Sequence, residues 1–314
     1  MASLSEDRIL VIKLGALGDF VQALGPMAAI RSHHQNAHIV LLTSAPYVDF
    51  AKAANLFDEI WVDKDRPKAW QIGKVKALRN QLKSGQFTRV YDLQTSDRSS
   101  FYYKILGPGP RPEWSGIARG CSHPHANSNR NVMHTHERQK EQLAMAGIDQ
   151  VPAPDFSWAQ SDISHLGLHP PYALLVPGGA PHRPAKRWTV QGYIELANHM
   201  LAEGLTPVLL GAGAESGILQ MIAHEAPGVL NLCGKTDFID IATLAKDATV
   251  AVGNDTGPMH LISATNCASV VLYSFDSNPA LCAQRGDAVK IIRQESLESL
   301  GEAEVWDAVK SFDA

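Results

Sequence analysis

The sequence has few cysteines, and none are spaced to act together. Cys121, Cys233, Cys267 and Cys282 are far apart and form no C-x-x-C. This excludes a disulfide framework or a dithiol redox centre and reads as reduced cytosolic thiols, mostly core filler. No apolar run approaches the ~18–20 residues of a membrane span. Met1 to Arg8 is acidic and polar, unlike a signal peptide, so a cytoplasmic protein is expected. The formal net charge of −4 argues against general nucleic-acid binding. No internal repeat or low-complexity segment is present. The first strand is not followed by G-x-G-x-x-G, so a dinucleotide-dependent dehydrogenase is disfavoured.

What remains is a globular chain. Its 314 residues are 45% hydrophobic and 19% charged, enough for two domains with sizeable cores. Strands alternate with helices. In the N-terminal half strands are expected at 9–14, 38–43, 59–62 and 89–92, with helices at 19–32, 45–53, 72–83 and 99–106. This is the pattern of a parallel sheet wound on both faces. Gly107-Pro108-Gly109-Pro110-Arg111-Pro112 breaks it, and the chain reads as irregular to about Asn131, then helical to about Gly147. The expected division is a first domain over 1–150, a proline-bearing linker over 151–171, a second alternating domain over 172–298 and a last helix over 299–314.

The strongest motif is Thr249-Val250-Ala251-Val252-Gly253-Asn254-Asp255-Thr256-Gly257-Pro258-Met259-His260. It reads as a buried strand, a polar turn and a helix start. A helix start offers free N–H groups and a positive dipole end, which suit an anion. Thr256 adds a hydroxyl and His260 a possible cation, so the turn suits a diphosphate. Asp255, itself anionic, fits sugar hydroxyls better. A second strand, 172–176, leads into Pro177-Gly178-Gly179, whose glycines allow close backbone approach, and then Lys186-Arg187, which can neutralise phosphate. A third, 207–210, leads to Glu215, a candidate acceptor for ribose hydroxyls. Near the N terminus a strand and glycine turn place Asp19 in the first turn of a helix. There it either interacts with the dipole or serves as a general base.

Lys13-Leu14-Gly15-Ala16-Leu17-Gly18-Asp19, Asp92-Leu93-Gln94, Lys186-Arg187-Trp188 and Gly253 to His260 occur in this order. Together they resemble glycosyltransferase family 9, the lipopolysaccharide heptosyltransferases, from about Ile9 to about Gly286. The resemblance implies an α/β GT-B fold, with two Rossmann-like doubly wound parallel-sheet domains facing a central cleft: 1–150 binds the acceptor, 172–298 binds the nucleotide sugar, and the helix over 299–314 packs back onto the first domain. It implies an ADP-heptose donor, an anionic lipid-linked inner-core sugar acceptor and an inverting, metal-independent transfer without a cofactor. It places the base on Asp19, the donor phosphates on Lys186 and the Thr256-Gly257 turn, and the donor sugar on Asp255 with His260 close by. Gly178, Gly179 and Glu215 complete the donor-side candidates. Where the family usually carries a Gly-Pro-Thr-like turn, this chain reads Ser274-Phe275-Asp276-Ser277-Asn278-Pro279, so another donor sugar stays open.

Residues 98–140 carry seven basic side chains against two acidic ones. Lys13, Gln94, Arg98, Arg119 and Arg130 are the acceptor-side candidates, with peripheral contact at the inner face of a membrane. Asp63-Lys64-Asp65 is a D-x-D, and Cys121, His123, His125, His134 and His136 form a cluster. The D-x-D sits in a strand-end loop of the wrong domain for the donor, and the Cys/His cluster fits no standard metal spacing, so solvated loop histidines are the expectation. The alternatives are a nucleotide-sugar-binding protein with degenerate catalysis and an epimerase of the same fold, which would carry its carboxylates elsewhere.

Overall fold

A computed structural model describes residues 7–64 and 67–312. The chain divides into two units, Met1–Pro154 and Asp155–Ala314.

The first unit runs β1 (Arg8–Ile12), α1 (Leu17–His33), β2 (His38–Thr43), α2 (Val48–Ala53), β3 (Glu59–Val62), α3 (Ile72–Ser84), β4 (Arg89–Asp92), α4 (Asp97–Ile105), β5 (Glu113–Gly116), β6 (His123–Pro124) and α5 (Thr135–Ala144). Its sheet is parallel throughout, in the order β3-β2-β1-β4-β5-β6. Central strands β1 and β2 are apolar and β-branched because helices cover both faces. The stretch expected to be irregular contains β5 and β6. Trp114 of β5 is fully buried and packs edge-on to Tyr103. Both strands are very short and flanked by glycine and proline, so neither shows a periodicity in the sequence.

The second unit runs β7 (Tyr172–Val176), α6 (Val190–Ala202), β8 (Thr206–Leu209), α7 (Ser216–Glu225), β9 (Leu230–Asn231), α8 (Phe238–Asp247), β10 (Val250–Asn254), α9 (Gly257–Ala264), β11 (Ser269–Tyr273), α10 (Pro279–Cys282), β12 (Val289–Arg293) and α11 (Glu302–Lys310). Its order is β12-β11-β10-β7-β8-β9. Counted within each unit, both sheets have the same doubly wound order, 3-2-1-4-5-6.

That order fixes where ligands can sit. Chain direction across the sheet reverses between β1 and β4 in the first unit, and between β7 and β10 in the second. Loops leaving the carboxyl ends of these neighbouring strands diverge to opposite faces and leave a crevice.

Two segments of the second unit are held by contacts within it. The segment expected as linker is anchored from residue 155 onward: Ser161 Oγ donates to Asp240 Oδ1 at 2.6 Å and Lys246 Nζ to the Ala159 carbonyl at 2.5 Å, both on α8. The last helix packs into the second unit. Val305, Trp306 and Val309 at i, i+1 and i+4 lie in one buried cluster with Leu196, Met200 and Leu272.

Candidate functional site

In the first unit the crevice between β1 and β4 is a polar cavity of about 180 Å³. It is lined by Lys13 and Asp19 after β1, and by Gln94 and Thr95 after β4. Arg130 and, from α5, Arg138, Gln139 and Gln142 complete it. Asp19 is exposed in the first turn of α1, where the dipole favours its charge. Lys13 is buried and donates to the Leu93 carbonyl at 3.1 Å. Burial lowers its pKa, and the nearby Asp19 and Asp92 charges oppose that shift. Gln94 Oε1 accepts from the Leu14 N–H at 2.8 Å and so ties the two strand-end loops together.

Several buried polar atoms around this cavity have no partner among the described residues: Arg130 Nη2, Gln139 Oε1 and Gln142 Oε1. Such atoms are costly in isolation and fit a polar ligand. Sequence reasoning placed Lys13, Asp19, Gln94 and Arg130 here and missed Arg138, Gln139 and Gln142. The clue was in α5, a polar helix whose inward face, Thr135, Gln139 and Gln142, recurs at i, i+4 and i+7 and is buried.

Two acceptor-side candidates lie elsewhere. Arg98 makes a two-pronged contact with Asp63, both N–O distances 2.9 Å, and Tyr102 Oη donates to the same carboxylate at 2.6 Å. Asp63 is therefore a buried ion-pair partner; Asp65 of the D-x-D lies outside the described residues. Arg119 is exposed and does not line the cavity. In the His/Cys cluster, His125 Nδ1 accepts from Arg130 Nε at 3.2 Å and His134 Nδ1 from the His136 N–H at 3.1 Å. Cys121 is buried with its Sγ toward the Gly116 carbonyl.

In the second unit the crevice between β7 and β10 gathers the donor-side candidates. Asp255 follows β10 directly. Its Oδ2 accepts from Lys186 Nζ at 2.5 Å and from Ser277 Oγ at 2.5 Å, and its Oδ1 from Gln284 Nε2 at 3.1 Å. His260 Nε2 lies 3.9 Å from Oδ1. Burial alone would raise the Asp255 carboxyl pKa, but the Lys186 and Ser277 hydrogen bonds outweigh it and hold the group below its ordinary value.

Thr256 precedes α9 in an extended conformation, and its buried hydroxyl has no partner among the described residues. It stands at the start of α9, whose first turn offers the Gly257 and Met259 N–H groups, Pro258 having none. Gly178 lies against Glu215: a Cβ there would sit 2.9 Å from Glu215 Cγ. Glu215 in turn accepts from the Ala212 N–H at 3.0 Å. Arg187, read as a phosphate neutraliser, instead braces the glycine loop through Nη2 to the Gly179 carbonyl at 2.6 Å.

Asn254 is the residue that sequence reasoning misread. The sequence places it in the polar turn, but it ends β10 fully buried. Its Nδ2 donates to the Pro177 and Gly178 carbonyls at 2.9 and 3.0 Å, and its Oδ1 accepts from the Trp188 N–H at 3.0 Å. One amide thus holds the glycine loop and the Lys186-Arg187-Trp188 segment in register. Ser277 and Gln284 were missed as well; Ser277 comes from the 274–279 turn that departs from the family pattern, and Gln284 follows α10.

The family described as glycosyltransferase family 9 (heptosyltransferase) matches over residues 75–304. The chain belongs to that family. Among curated relatives, lipooligosaccharide heptosyltransferase 2 of Haemophilus ducreyi is 28% identical over 220 residues, 63% of this chain and 61% of the relative. This chain thus spans about three fifths of that relative's length. Among solved structures, a family 9 glycosyl transferase from Veillonella parvula superposes with a TM-score of 0.82 at 18% identity, covering 98% of both chains. The Escherichia coli heptosyltransferase WaaC with ADP superposes with a TM-score of 0.77 at 19% identity, covering 97% of this chain and 99% of that one. These likenesses establish the fold, which is GT-B.

Proposed function

We propose that this chain transfers heptose from ADP-heptose, with inversion, to an anionic lipid-linked acceptor of the lipopolysaccharide inner core. The observation that carries the reading is the second-unit crevice. Lys186, the Thr256 hydroxyl and the start of α9 converge beside a carboxylate, Asp255, held on three sides. Family membership and the ADP bound by the Escherichia coli WaaC enzyme support the same donor class.

In this reading Asp19 removes the proton of the acceptor hydroxyl as it attacks the anomeric carbon. Lys186 and the α9 N-terminus stabilise the charge that develops on the leaving diphosphate, in place of a metal. Asp255 accepts from sugar hydroxyls, with His260 beside it, and Glu215 accepts from the ribose. Lys13, Gln94, Arg130 and Arg138 hold the acceptor's anionic end. The protein acts in the cytoplasm, peripherally at the inner membrane face.

The test is transfer from ADP-heptose by wild type and Asp19→Asn. The variant keeps its donor affinity and loses roughly 10²–10⁴ in turnover, the range for a general base. A variant with wild-type turnover removes Asp19 from the mechanism. Chelation with EDTA leaves transfer intact; loss that magnesium or manganese restores overturns the metal-free reading. A second reading, the same transfer with another sugar, rests on the Ser277 contact to Asp255. A nucleotide-sugar panel read by thermal shift separates them, since a ligand at 100 times its Kd stabilises by about 2.7 kcal/mol.

A further inference from the structure

The first unit displays two large apolar side chains next to each other. Trp70 is 73% exposed and Ile72 is 78% exposed. Single exposed hydrophobics are common on soluble proteins, but an exposed tryptophan and isoleucine side by side are unusual. Their exposure is built in. The turn that carries Trp70 is closed by Gln71, whose N–H donates to the Lys68 carbonyl and whose Oε1 accepts from the Lys68 N–H, both at 2.9 Å. Lys68 Nζ sits 5.0 Å from the Trp70 ring centre. Ile72 then opens α3.

The sequence that follows this pair is basic. From Pro67 to Tyr91 there are six basic residues, Lys68, Lys74, Lys76, Arg79, Lys83 and Arg89, and no acidic one, in a chain whose net charge is −4. α3 buries Leu78 and Leu82 against its own unit. Ile72, Lys76, Arg79 and Lys83, at i, i+4, i+7 and i+11, share a different flank of the helix. Arg79 is tethered by Nε to the Ile105 carbonyl at 2.8 Å, while Lys76 and Lys83 are exposed. An exposed aromatic–aliphatic tip with a flank of lysines is the composition that lies in a bilayer interface: apolar groups enter the headgroup boundary and the lysines meet anionic lipid.

We infer that the Trp70–Ile72 tip and the lysine flank of α3 form the surface by which this protein docks on an anionic phospholipid bilayer. The inference rests on the proposed membrane-side reading for its biological sense, but it is measured without sugar substrate. The experiment is co-sedimentation of the full chain with vesicles of phosphatidylglycerol and phosphatidylethanolamine, and with vesicles of phosphatidylcholine alone. Wild type is compared with Trp70→Ser/Ile72→Ser and with Lys76→Gln/Lys83→Gln. Both positions are surface sites, and an unchanged melting temperature confirms that the variants fold.

Wild type is expected to bind the anionic vesicles and to release as salt rises, with at least about tenfold weaker binding in each double variant. Equal binding to phosphatidylcholine, no vesicle binding at all, or binding unchanged in the variants overturns the proposal. Transfer to the same acceptor sugar stripped of its acyl chains is expected to stay at the wild-type rate in Trp70→Ser/Ile72→Ser. A loss there places these residues in acceptor recognition and also overturns it. Vesicle binding without any sugar transfer would uphold the surface while the transferase reading fails.

Discussion

Lys186 Nζ lies 2.5 Å from Asp255 Oδ2, with the two side chains only 12% and 6% exposed. The lysine arrives on the segment after β7 and the carboxylate on the turn after β10, so the ion pair closes the crevice across two adjacent strands. Removing one partner of a buried pair leaves the other charge uncompensated, at a cost of about 3–5 kcal/mol. Lys186→Met and Asp255→Asn are each expected to destabilise strongly, and the double substitution to cost well under their sum. A denaturant cycle measures the coupling, expected above about 1 kcal/mol. Strict additivity would mean that the contact carries no energy.

In the proposed mechanism the same pair divides the labour of donor binding. Lys186→Ala is expected to weaken ADP and the intact sugar nucleotide alike, by roughly tenfold to a hundredfold, the worth of a charge-assisted contact of ~1.5–3 kcal/mol. Asp255→Ala is expected to spare ADP and weaken only the sugar nucleotide. Asp255 keeps Ser277 and Gln284 when Lys186 turns to phosphate, so its position does not depend on the lysine alone. Calorimetry with both ligands on both variants separates the roles. An Asp255→Ala protein that loses ADP as Lys186→Ala does would make the carboxylate a brace for the helix start.

Asn254 makes a prediction that the sequence did not contain. Asn254→Asp keeps the shape but sets a buried carboxylate oxygen against the Pro177 and Gly178 carbonyls, where Nδ2 now donates. Two hydrogen bonds become two repulsions in a dry site. The expected result is a loss of stability of about 2–4 kcal/mol, with ADP affinity falling as the glycine loop loosens. Chemical denaturation and calorimetry test both. A variant as stable as wild type would show that the loop is held by Arg187 alone.

The sequence made most of the sheet legible because buried parallel strands are runs of β-branched and aliphatic residues. Strands β2, β3 and β4 have the expected boundaries, and the strand-end glycines marked both crevices. Strands β5 and β6 were hidden because a strand of four residues or fewer among prolines has no period to detect. The site was legible where side chains follow their strand directly, as Asp255 and Lys13 do. It was not legible where residues arrive from elsewhere in the chain. Gln139 and Gln142 come from a helix that reads as a solvated surface, and Ser277 and Gln284 from a turn without a recognisable pattern. The Lys186–Asp255 contact spans 69 residues of sequence, and nothing local announces it.

A buried group, Asp92, and a half-buried one, His34, set opposite pH dependences in the first unit. Burial pushes the Asp92 carboxyl up to about 6 from its ordinary 3.8, and its Oδ2 has no partner among the described residues. Folding therefore favours its protonated form. That stabilisation is full below pH 3.8 and is lost as pH rises through about 6. His34 shifts the other way. Burial, with help from neighbouring His33 and Arg89, lowers it from 6.5 to about 4. Its contribution is present above pH 6.5 and is lost as pH falls through about 4. Asp92→Asn mimics the protonated acid, so its melting temperature is expected to gain on wild type by a few degrees at pH 7 and to lose that advantage toward pH 4. His34→Gln is expected to flatten the acid-side decline between pH 6.5 and 4 and to change little at pH 7.5. Melting curves for the three proteins across this range decide both. A difference between Asp92→Asn and wild type that does not vary with pH would show that Asp92 does not titrate in this window.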